Sequence, residues 1–410
     1  MKKTILFFAA LLTLLFISST LAQVNYSGWW QSNLYLWENP DDAQYYNFYQ
    51  GLQFRLSPQN YSNLYLNTYF RVAYRDDLDE MQEKVHNLYL NWNLADNYRL
   101  RVGRQFIYQG VINGTMDAVS LSGRFAKNLQ LQAVIGTEAP FTREFELVDW
   151  DNGNLLGAYA SYRLPWSNSL EVSYFQKQRK SDSEEKSELY WQQLGSAFLG
   201  TIQQKVNYYF RMDYNLLTES YQTMRGRLSY LANRWTVSAE YNSQRPRIYE
   251  DSFFNIFVVN PYNQLRLAGN YRMQKYEFGL QLLQTVYDVH AYYVLFKDDN
   301  DLRLVGTFGH QKFGTLGLVL QNGYGGDNLG YFADIRYEFL PNITARLYNS
   351  YFNYERTSTN ISEDALAFLV GLGYRYKKVL LLEGELQQSS NNLYKNDTRG
   401  LVKLTFLFGN

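Results

Sequence analysis

Alternation of apolar and polar positions is the dominant pattern along the chain. Residues 87–94 read Asn-Leu-Tyr-Leu-Asn-Trp-Asn-Leu, with an apolar side chain at every second position. Residues 264–273 show the same period, and Val402, Leu404 and Phe406 repeat it near the C-terminus. Successive side chains of a strand point to opposite faces, whereas a helix would need spacings of three and four. The pattern predicts many short strands, each with one apolar and one polar face.

Short and long connections alternate between these strands. The short ones carry turn-forming residues, as in Pro58-Gln59-Asn60, Ala95-Asp96-Asn97 and Pro341-Asn342. The long polar ones are residues 76–84, 108–116, 137–153, 179–187, 244–260, 355–364 and 389–399. Outer-membrane barrels have short periplasmic turns and longer external loops. The rhythm predicts one all-β protein, a transmembrane antiparallel up-and-down β-barrel with both termini on the periplasmic side.

Hairpin counting predicts about 18–22 strands, with 22 preferred. Val289–Phe296 is interpreted as an extended loop or as the outer part of a long strand, because a separate strand there would invert the neighbouring turns. The barrel must close, since each unpaired backbone group at an open edge costs several kcal/mol in hydrocarbon. Trp92, Trp166 and Trp235 lie beside short turns, where an aromatic girdle is expected.

The composition fits strands with two unlike faces. Of the residues, 46% are hydrophobic and 18% aromatic, with 38 Tyr against 7 Pro. After residue 23 no apolar run approaches the roughly 18 residues that a spanning helix needs. The alternative is a secreted soluble β-protein such as a propeller or β-solenoid, but no repeat of blade length is visible.

The N-terminus predicts a cleaved signal peptide over residues 1–22, which leaves residues 23–410 as the barrel. Lys2 and Lys3 supply a positive start, Ile5–Ile17 is apolar, and Ala22 is a small residue at the cleavage position. The alternative, an uncleaved membrane anchor, is disfavoured because the apolar run is short. The expected location is the bacterial outer membrane, with its lipid and the barrel-assembly machinery as partners.

Charge and cysteine content narrow the function classes. The formal net charge is zero, so no basic surplus indicates nucleic acid binding. The absence of Cys excludes disulfides, thiolate chemistry and a lipoprotein anchor. None of the three His has a partner at metal-ligand spacing, and no G-x-S-x-G sequence occurs. We therefore expect no catalytic residues, metal or cofactor, and a barrel enzyme ranks last among the hypotheses.

The strand phase predicts which charges face the lumen. A charge on the lipid face near the midplane costs about 2–4 kcal/mol, so inward placement is favoured. Such residues either form a charged constriction that selects solutes or merely keep a polar lumen hydrated. The principal predicted pore-lining residues are Arg71, Arg99, Arg101, Arg225, Arg227, Arg266, Arg272, Glu383 and Glu385. Arg104 breaks the alternation, so Gly103 is interpreted as a bulge that turns it inward or Arg104 as a residue of the outer rim.

Two long loops contain more apolar surface than an exposed loop needs, and either could fold into the barrel or pack against other loops. One is residues 244–260. The other, residues 137–151, is the predicted constriction loop, with Glu138, Glu144, Glu146, Asp149 and Asp151. We expect Arg71, Arg99 and Arg101 to lie close together and this acidic loop to fold toward them, which would set a transverse field across the pore.

A local resemblance supports a channel. Leu100–Gln105, with Arg-Val-Gly-Arg-Gln, and Met116–Phe125 resemble a hairpin of porin-like barrels of the alginate-export type. The resemblance covers about a tenth of the chain, and Met116 stands where an aromatic is usual. It implies an arginine-lined passive channel for small polar or anionic solutes. The alternative is a non-conducting barrel that serves as a scaffold, an adhesin or part of a secretion assembly, and the sequence leaves a homo-oligomer open.

Overall fold

The computed structural model describes residues 24–38, 43–180, 188–245, 260–288, 299–324, 326–356, 361–392 and 395–409. These residues form one sheet of 22 strands, with a single turn of 3₁₀ helix at Asp76–Leu78. Within them, no helix is both long and apolar enough to cross a membrane. The strands are β1 (Val24–Glu38), β2 (Gln44–Pro58), β3 (Leu64–Arg75), β4 (Glu80–Ala95), β5 (Tyr98–Gln109), β6 (Ile112–Ala126), β7 (Leu129–Glu138), β8 (Gly153–Leu164), β9 (Asn168–Arg179), β10 (Glu188–Ile202), β11 (Val206–Asn215), β12 (Ser220–Leu231), β13 (Trp235–Gln244), β14 (Tyr262–Met273), β15 (Tyr276–Tyr287), β16 (Asn300–His310), β17 (Gly314–Gly323), β18 (Asn328–Leu340), β19 (Ile343–Arg356), β20 (Ile361–Tyr376), β21 (Leu380–Ser390) and β22 (Asp397–Gly409).

The sheet closes on itself. Every strand pairs antiparallel with its neighbours in the chain, and β1 also pairs with β22, from Ser27 opposite Gly409 to Leu36 opposite Gly400. Closure gives both edge strands a partner, which is what a membrane-spanning sheet requires. The predicted all-β, up-and-down barrel is confirmed, and its 22 strands lie at the upper end of the predicted range.

The outer face is apolar and the inner face polar. On β4 and β5 the side chains of Leu90, Trp92 and Val102 are 43%, 46% and 44% exposed, while Asn91 between them is fully buried. Arg101 lies opposite Asn91 and shares its face. Because neighbouring residues of a strand alternate between faces, this assignment fixes the lumen side of every strand that follows regular pairing.

The two ends of the barrel differ. At one end every connection is short, from two residues at 96–97 to five at 59–63. At the other end lies the longest fully described connection, residues 139–152, together with shorter turns such as residues 216–219. Two predicted loops are wrong. The predicted loop at residues 76–84 is partly strand, because β4 begins at Glu80, and the predicted loop at residues 108–116 is the tip of the β5–β6 hairpin. The predicted signal peptide, Val289–Phe296 and most of residues 244–260 lie outside the described residues.

Three tryptophans are exposed at the short-turn end. Trp92 and Trp235 lie on strands beside short turns, and Trp166 lies within the turn between β8 and β9, with exposures of 46%, 53% and 87%. The ring of Trp235 packs on Tyr271 of β14, with 4.3 Å between ring centroids. Amphipathic rings at this height fit the interface of a membrane with water.

Candidate functional site

The β5–β6 hairpin leaves the barrel wall and enters the lumen. β4 pairs with β5 only as far as Arg104, and residues 105–109 of β5 pair with β6 alone. At the tip, Val111 N–H donates to Ser173 Oγ (3.0 Å), and the carbonyl of Gly110 accepts from Arg211 Nη2 (2.8 Å). Ser173 and Arg211 lie on the lumen faces of β9 and β11, so the tip is inside the barrel.

A tight turn makes this hairpin possible. Gln109 lies opposite Ile112, which leaves Gly110 and Val111 as a two-residue turn. Gly110 has φ +58, a conformation that glycine adopts without steric cost. A Cβ at Gly110 would also lie 2.2 Å from Ser173 Oγ, so the tip fits the wall only with glycine at this position.

Apolar side chains fix the hairpin to the inner wall. Ile112 and Met116 of the hairpin are 0% and 1% exposed, although they project into a mostly polar lumen. They pack in one cluster with Leu155 of β8 and Phe175 of β9. Gly157 leaves room for them, because a Cβ there would lie 2.9 Å from Ile112 Cδ1. Burial of several such side chains, at about 1.5–3 kcal/mol each, holds the hairpin in place.

A buried ion pair marks the point where the hairpin leaves the wall. Arg104 and Asp117 are 4% and 7% exposed and form two hydrogen bonds, Nε to Oδ1 (2.9 Å) and Nη2 to Oδ2 (2.8 Å). Arg104 also donates to the carbonyls of Glu144 (2.5 Å) and Glu146 (2.6 Å). The register shows no shift at Gly103, so the predicted bulge is wrong. Arg104 keeps the outward-facing position that regular alternation gives it, and the β7–β8 loop covers its side chain.

The predicted constriction loop contacts Arg104 through its backbone carbonyls. The side chains of Glu144, Glu146, Asp149 and Asp151 are exposed, and within the described chain none of them forms an ion pair. Glu138 belongs to β7 and pairs with Lys177, at a distance along the sheet from the predicted arginines. The structure therefore does not bring these carboxylates to Arg71, Arg99 or Arg101, and the element that enters the lumen is the β5–β6 hairpin.

Five cations on the lumen faces of β2–β5 form what is termed the basic wall: Arg55, Arg71, Lys84, Arg99 and Arg101. Among the described residues none of the five has a carboxylate partner.

Three of these arginines stack on tyrosines instead. Their Cζ atoms lie close to the ring centroids, at 3.6 Å for Arg55 over Tyr65, 4.2 Å for Arg71 over Tyr49, and 5.4 Å for Arg101 over Tyr89. A ring orients a guanidinium without neutralising it.

The basic wall is extended along the barrel axis. Arg101 lies opposite Asn91, which in turn lies opposite Tyr65, whereas Arg71 lies opposite Lys84. At about 3.3 Å per residue, Arg71 is roughly 20 Å from the level of Arg101. The prediction that Arg71, Arg99 and Arg101 lie close together is therefore wrong, because the register places Arg71 nearer the long-loop end.

Elsewhere in the lumen, many charges occur in ion pairs. Arg225 lies 3.7 Å from Glu240, which also faces Arg227 and Arg266 across the neighbouring strands. The other pairs are Arg272 with Glu277 (3.1 Å), Arg346 with Asp334 (3.2 Å) and Glu385 (3.6 Å), and Lys403 with Glu383 (2.8 Å). The basic wall is thus a part of the described lumen where five cations on four neighbouring strands lack carboxylate partners, and Arg303 and Arg336 are further lumen cations without an ion pair.

A cavity of about 430 Å³ lies between the hairpin tip and the adjacent part of the barrel wall, which is formed by β9–β12. Tyr108 and Asn113 line it from the hairpin, and Trp191 and the paired Arg211 and Asp213 from the wall. Sequence reasoning missed this site, because the tip was interpreted as an external loop. Apolar Val111 and Ile112 in that segment were the available signal. In the described ranges no group of three His, Asp or Glu side chains is placed to hold a metal ion.

Solved structures share this architecture. The siderophore receptor PirA from Pseudomonas aeruginosa superposes with a TM-score of 0.62 at 12% identity, over 93% of this chain and 80% of the receptor. The chain has the fold of the outer-membrane β-barrels. The translocation pore of the P pilus usher PapC matches this barrel with a TM-score of 0.55 at 9% identity, over 94% and 99% of the two chains. Acinetobacter baumannii OccAB4 gives 0.46 at 9% identity, over 95% and 99%. No protein-family model matches the sequence, and no curated protein matches it.

Proposed function

We propose that this barrel is an outer-membrane channel for the passive diffusion of small polar or anionic solutes. The observation that carries the proposal is the basic wall, whose five cations lie on neighbouring strands and lack carboxylate partners among the described residues. The β5–β6 hairpin supports the proposal, because the hairpin narrows the lumen beside the basic wall.

The outer surface supports the membrane location. Large apolar side chains such as Leu90, Val102, Leu282 and Val370 are 37–44% exposed on the outward face of strands around the barrel. A contiguous apolar belt of this extent is stable in lipid and not in water. The last strand, with Phe406-Leu407-Phe408, resembles the C-terminal signal that the barrel-assembly machinery reads, although Gly409 and Asn410 extend past the usual terminal aromatic. Export by the predicted signal peptide and insertion by that machinery are therefore part of the proposal.

Electrostatics gives the expected selectivity. The five cations of the basic wall produce a positive potential along that side of the passage. Since a narrow lumen between low-dielectric walls concentrates this field, anions are enriched and cations depleted. The stacked arginines keep N–H donors available, because a tyrosine ring covers the face of the guanidinium and leaves its edge to meet a solute. Arg101 uses only Nε, which donates to Asn91 Oδ1 (3.1 Å).

The finer proposal is a relation to alginate-export-type barrels. The residues that carry that resemblance, Leu100–Gln105 and Met116–Phe125, are the two strands of the inward hairpin, at the level where it leaves the wall. The strand count of 22 exceeds the 18 of that family, so the proposal concerns this hairpin and not the substrate.

Single-channel recording tests the function. Protein refolded in detergent is inserted into planar bilayers, and the reversal potential is measured in a KCl gradient. We expect stable conductance with a reversal potential on the anion-selective side. A barrel that inserts without conducting would favour the scaffold, adhesin or secretion hypothesis, and cation preference would contradict the role of the basic wall.

A further inference from the structure

At the long-loop end of the basic wall, two cations face each other directly. Arg71 on β3 lies opposite Lys84 on β4, and both project into the lumen. Lys84 reaches this face because the register shifts at His86, which is inserted as a one-residue bulge. Like charges directly opposite each other destabilise a pair of strands, and the described residues offer this pair no carboxylate.

The β7–β8 loop adds a third cation to this position. Val85 N–H donates to the carbonyl of Arg143 (2.7 Å), which fixes the loop beside the bulge. The guanidinium of Arg143 hydrogen-bonds Thr115 Oγ1 of the hairpin through Nη1. The acidic loop thus brings an arginine close enough to the bulge for its charge to act on His86, and the carboxylates of the loop stay exposed.

His86 lies among these three cations. Its ring stacks on Tyr69, with centroids 4.7 Å apart and planes inclined by 19°. The charges of Arg143, Arg71 and Lys84 all act on it. Its Nε2 is buried without a hydrogen-bond partner among the described residues. A buried ring nitrogen without a partner is costly, and in the tautomer that carries the proton on Nε2 a negatively charged acceptor beside these cations would satisfy it.

We propose that Arg71, Lys84, His86 and Arg143 form a binding station for a solute group with two negative charges on its oxygens, of the phosphate type. The inference rests on the proposed channel function and names the solute class that its basic wall takes. A doubly charged group relieves the repulsion between Arg71 and Lys84 more fully than a single carboxylate does. Its several oxygens can accept from two guanidinium forks, an ammonium and an imidazole at once.

Phosphate block of the chloride current tests the station. Inorganic phosphate is added to wild-type channels in KCl at about pH 8, where it is mostly a dianion. We expect concentration-dependent block in the wild type and block weakened by about tenfold or more in R71A/K84A, because each charge-assisted contact contributes strongly to binding. The matched control is R99A/R101A, which also removes two positive charges from the basic wall, at a level roughly 20 Å away. It should lower anion preference but leave the phosphate block within about twofold.

A second readout does not require conduction. Phosphate should raise the thermal stability of the detergent-solubilised wild type and of R99A/R101A, but not of R71A/K84A. Without phosphate, R71A/K84A should be at least as stable as the wild type, since it loses a repulsive pair.

If phosphate blocks R71A/K84A and R99A/R101A equally while both have reduced anion preference, the binding station is overturned and the proposed channel function stands. A wild type without anion preference would overturn the proposed function, and phosphate stabilisation would then decide the station alone.

Discussion

Arg104 and Asp117 form the most deeply buried ion pair among the described residues, and the pair clamps the hairpin at its root. Breaking one partner of such a pair leaves an uncompensated buried charge, at a cost of about 3–5 kcal/mol. We expect Asp117→Asn to loosen the hairpin while the barrel stays closed. The measurements are the noise of the open-channel current and cleavage by protease near Gly110.

The control for the Asp117→Asn prediction is Asp334→Asn, whose pair with Arg346 is about one-third exposed. Because exposed pairs contribute about 0–1 kcal/mol, the current noise should not change in this variant. If Asp117→Asn leaves the current noise unchanged and protease does not cleave near Gly110, the apolar cluster alone holds the hairpin.

Arg99 and Arg101 affect the permeating ions directly, because no carboxylate among the described residues offsets them. Their replacement in R99A/R101A should widen the passage and shift the reversal potential toward cation selectivity, with folding preserved. The double variant R272A/E277A removes a paired cation and anion together and should change selectivity little. Unchanged conductance and ion preference in R99A/R101A would mean that these arginines only hydrate the lumen.

Strand phase predicts the facing of isolated residues, and it fails where the register shifts. Lys84 belongs to the outward phase of β4 in the sequence, and only the bulge at His86 turns it toward Arg71. One inserted residue reverses every later side chain of a strand, and nothing in the local sequence marks it. Arg104 does break the alternation visibly, but the cover over it comes from residues 143–146, about forty positions away.

At the scale of the element, the β5–β6 hairpin sets the width of the lumen. Gln105 lies opposite Met116, so residues 106–115 can be replaced by an Asn-Gly turn without changing the pairing below it. We expect the shortened barrel to fold and to conduct more current per channel than the wild type. The comparison is single-channel conductance at fixed KCl concentration.

Shortening the β11–β12 turn, residues 216–219, is the control for the hairpin replacement, because that turn lies at the long-loop end and is exposed. The conductance of the variant with the shortened β11–β12 turn should match that of the wild type. If the hairpin replacement also conducts like the wild type, the narrowest point lies elsewhere.

The inward course of this hairpin could not be predicted from its own residues. Its strands alternate like those of the wall, and its two-residue turn is compatible with an ordinary external hairpin. The decisive residues are the small ones that receive it, Gly157 on β8 and Gly195 on β10, where a Cβ would meet Ile112 and Val111. These lie tens of positions later in the chain, so only the closed sheet brings them to the tip.

At the scale of the whole molecule, the rhythm of turns predicts the strand number because each hairpin is a local unit. The orientation in the membrane remains a prediction and can be measured, since the chain contains no Cys. Single cysteines at Thr218, in an exposed turn of the long-loop end, should react with an impermeant maleimide on intact cells. Cysteine at Asn342, in a short turn, should react only after lysis. The opposite pattern would mean that the barrel is inserted the other way round.

The pairing of β1 with β22 means that the barrel has no geometrical beginning. Ser27 lies opposite Gly409, so a short linker can join the ends of the chain, and a new start can be cut in the turn at residues 341–342. Such a circular permutant keeps every pairing of the described sheet except the cut turn. We expect it to refold in detergent micelles and to conduct like the parent, as judged by heat-modifiable migration on gels and by channel recordings. Failure to refold would show that the order of strands along the chain guides assembly, and success would show that the closed ring of strands alone determines the fold.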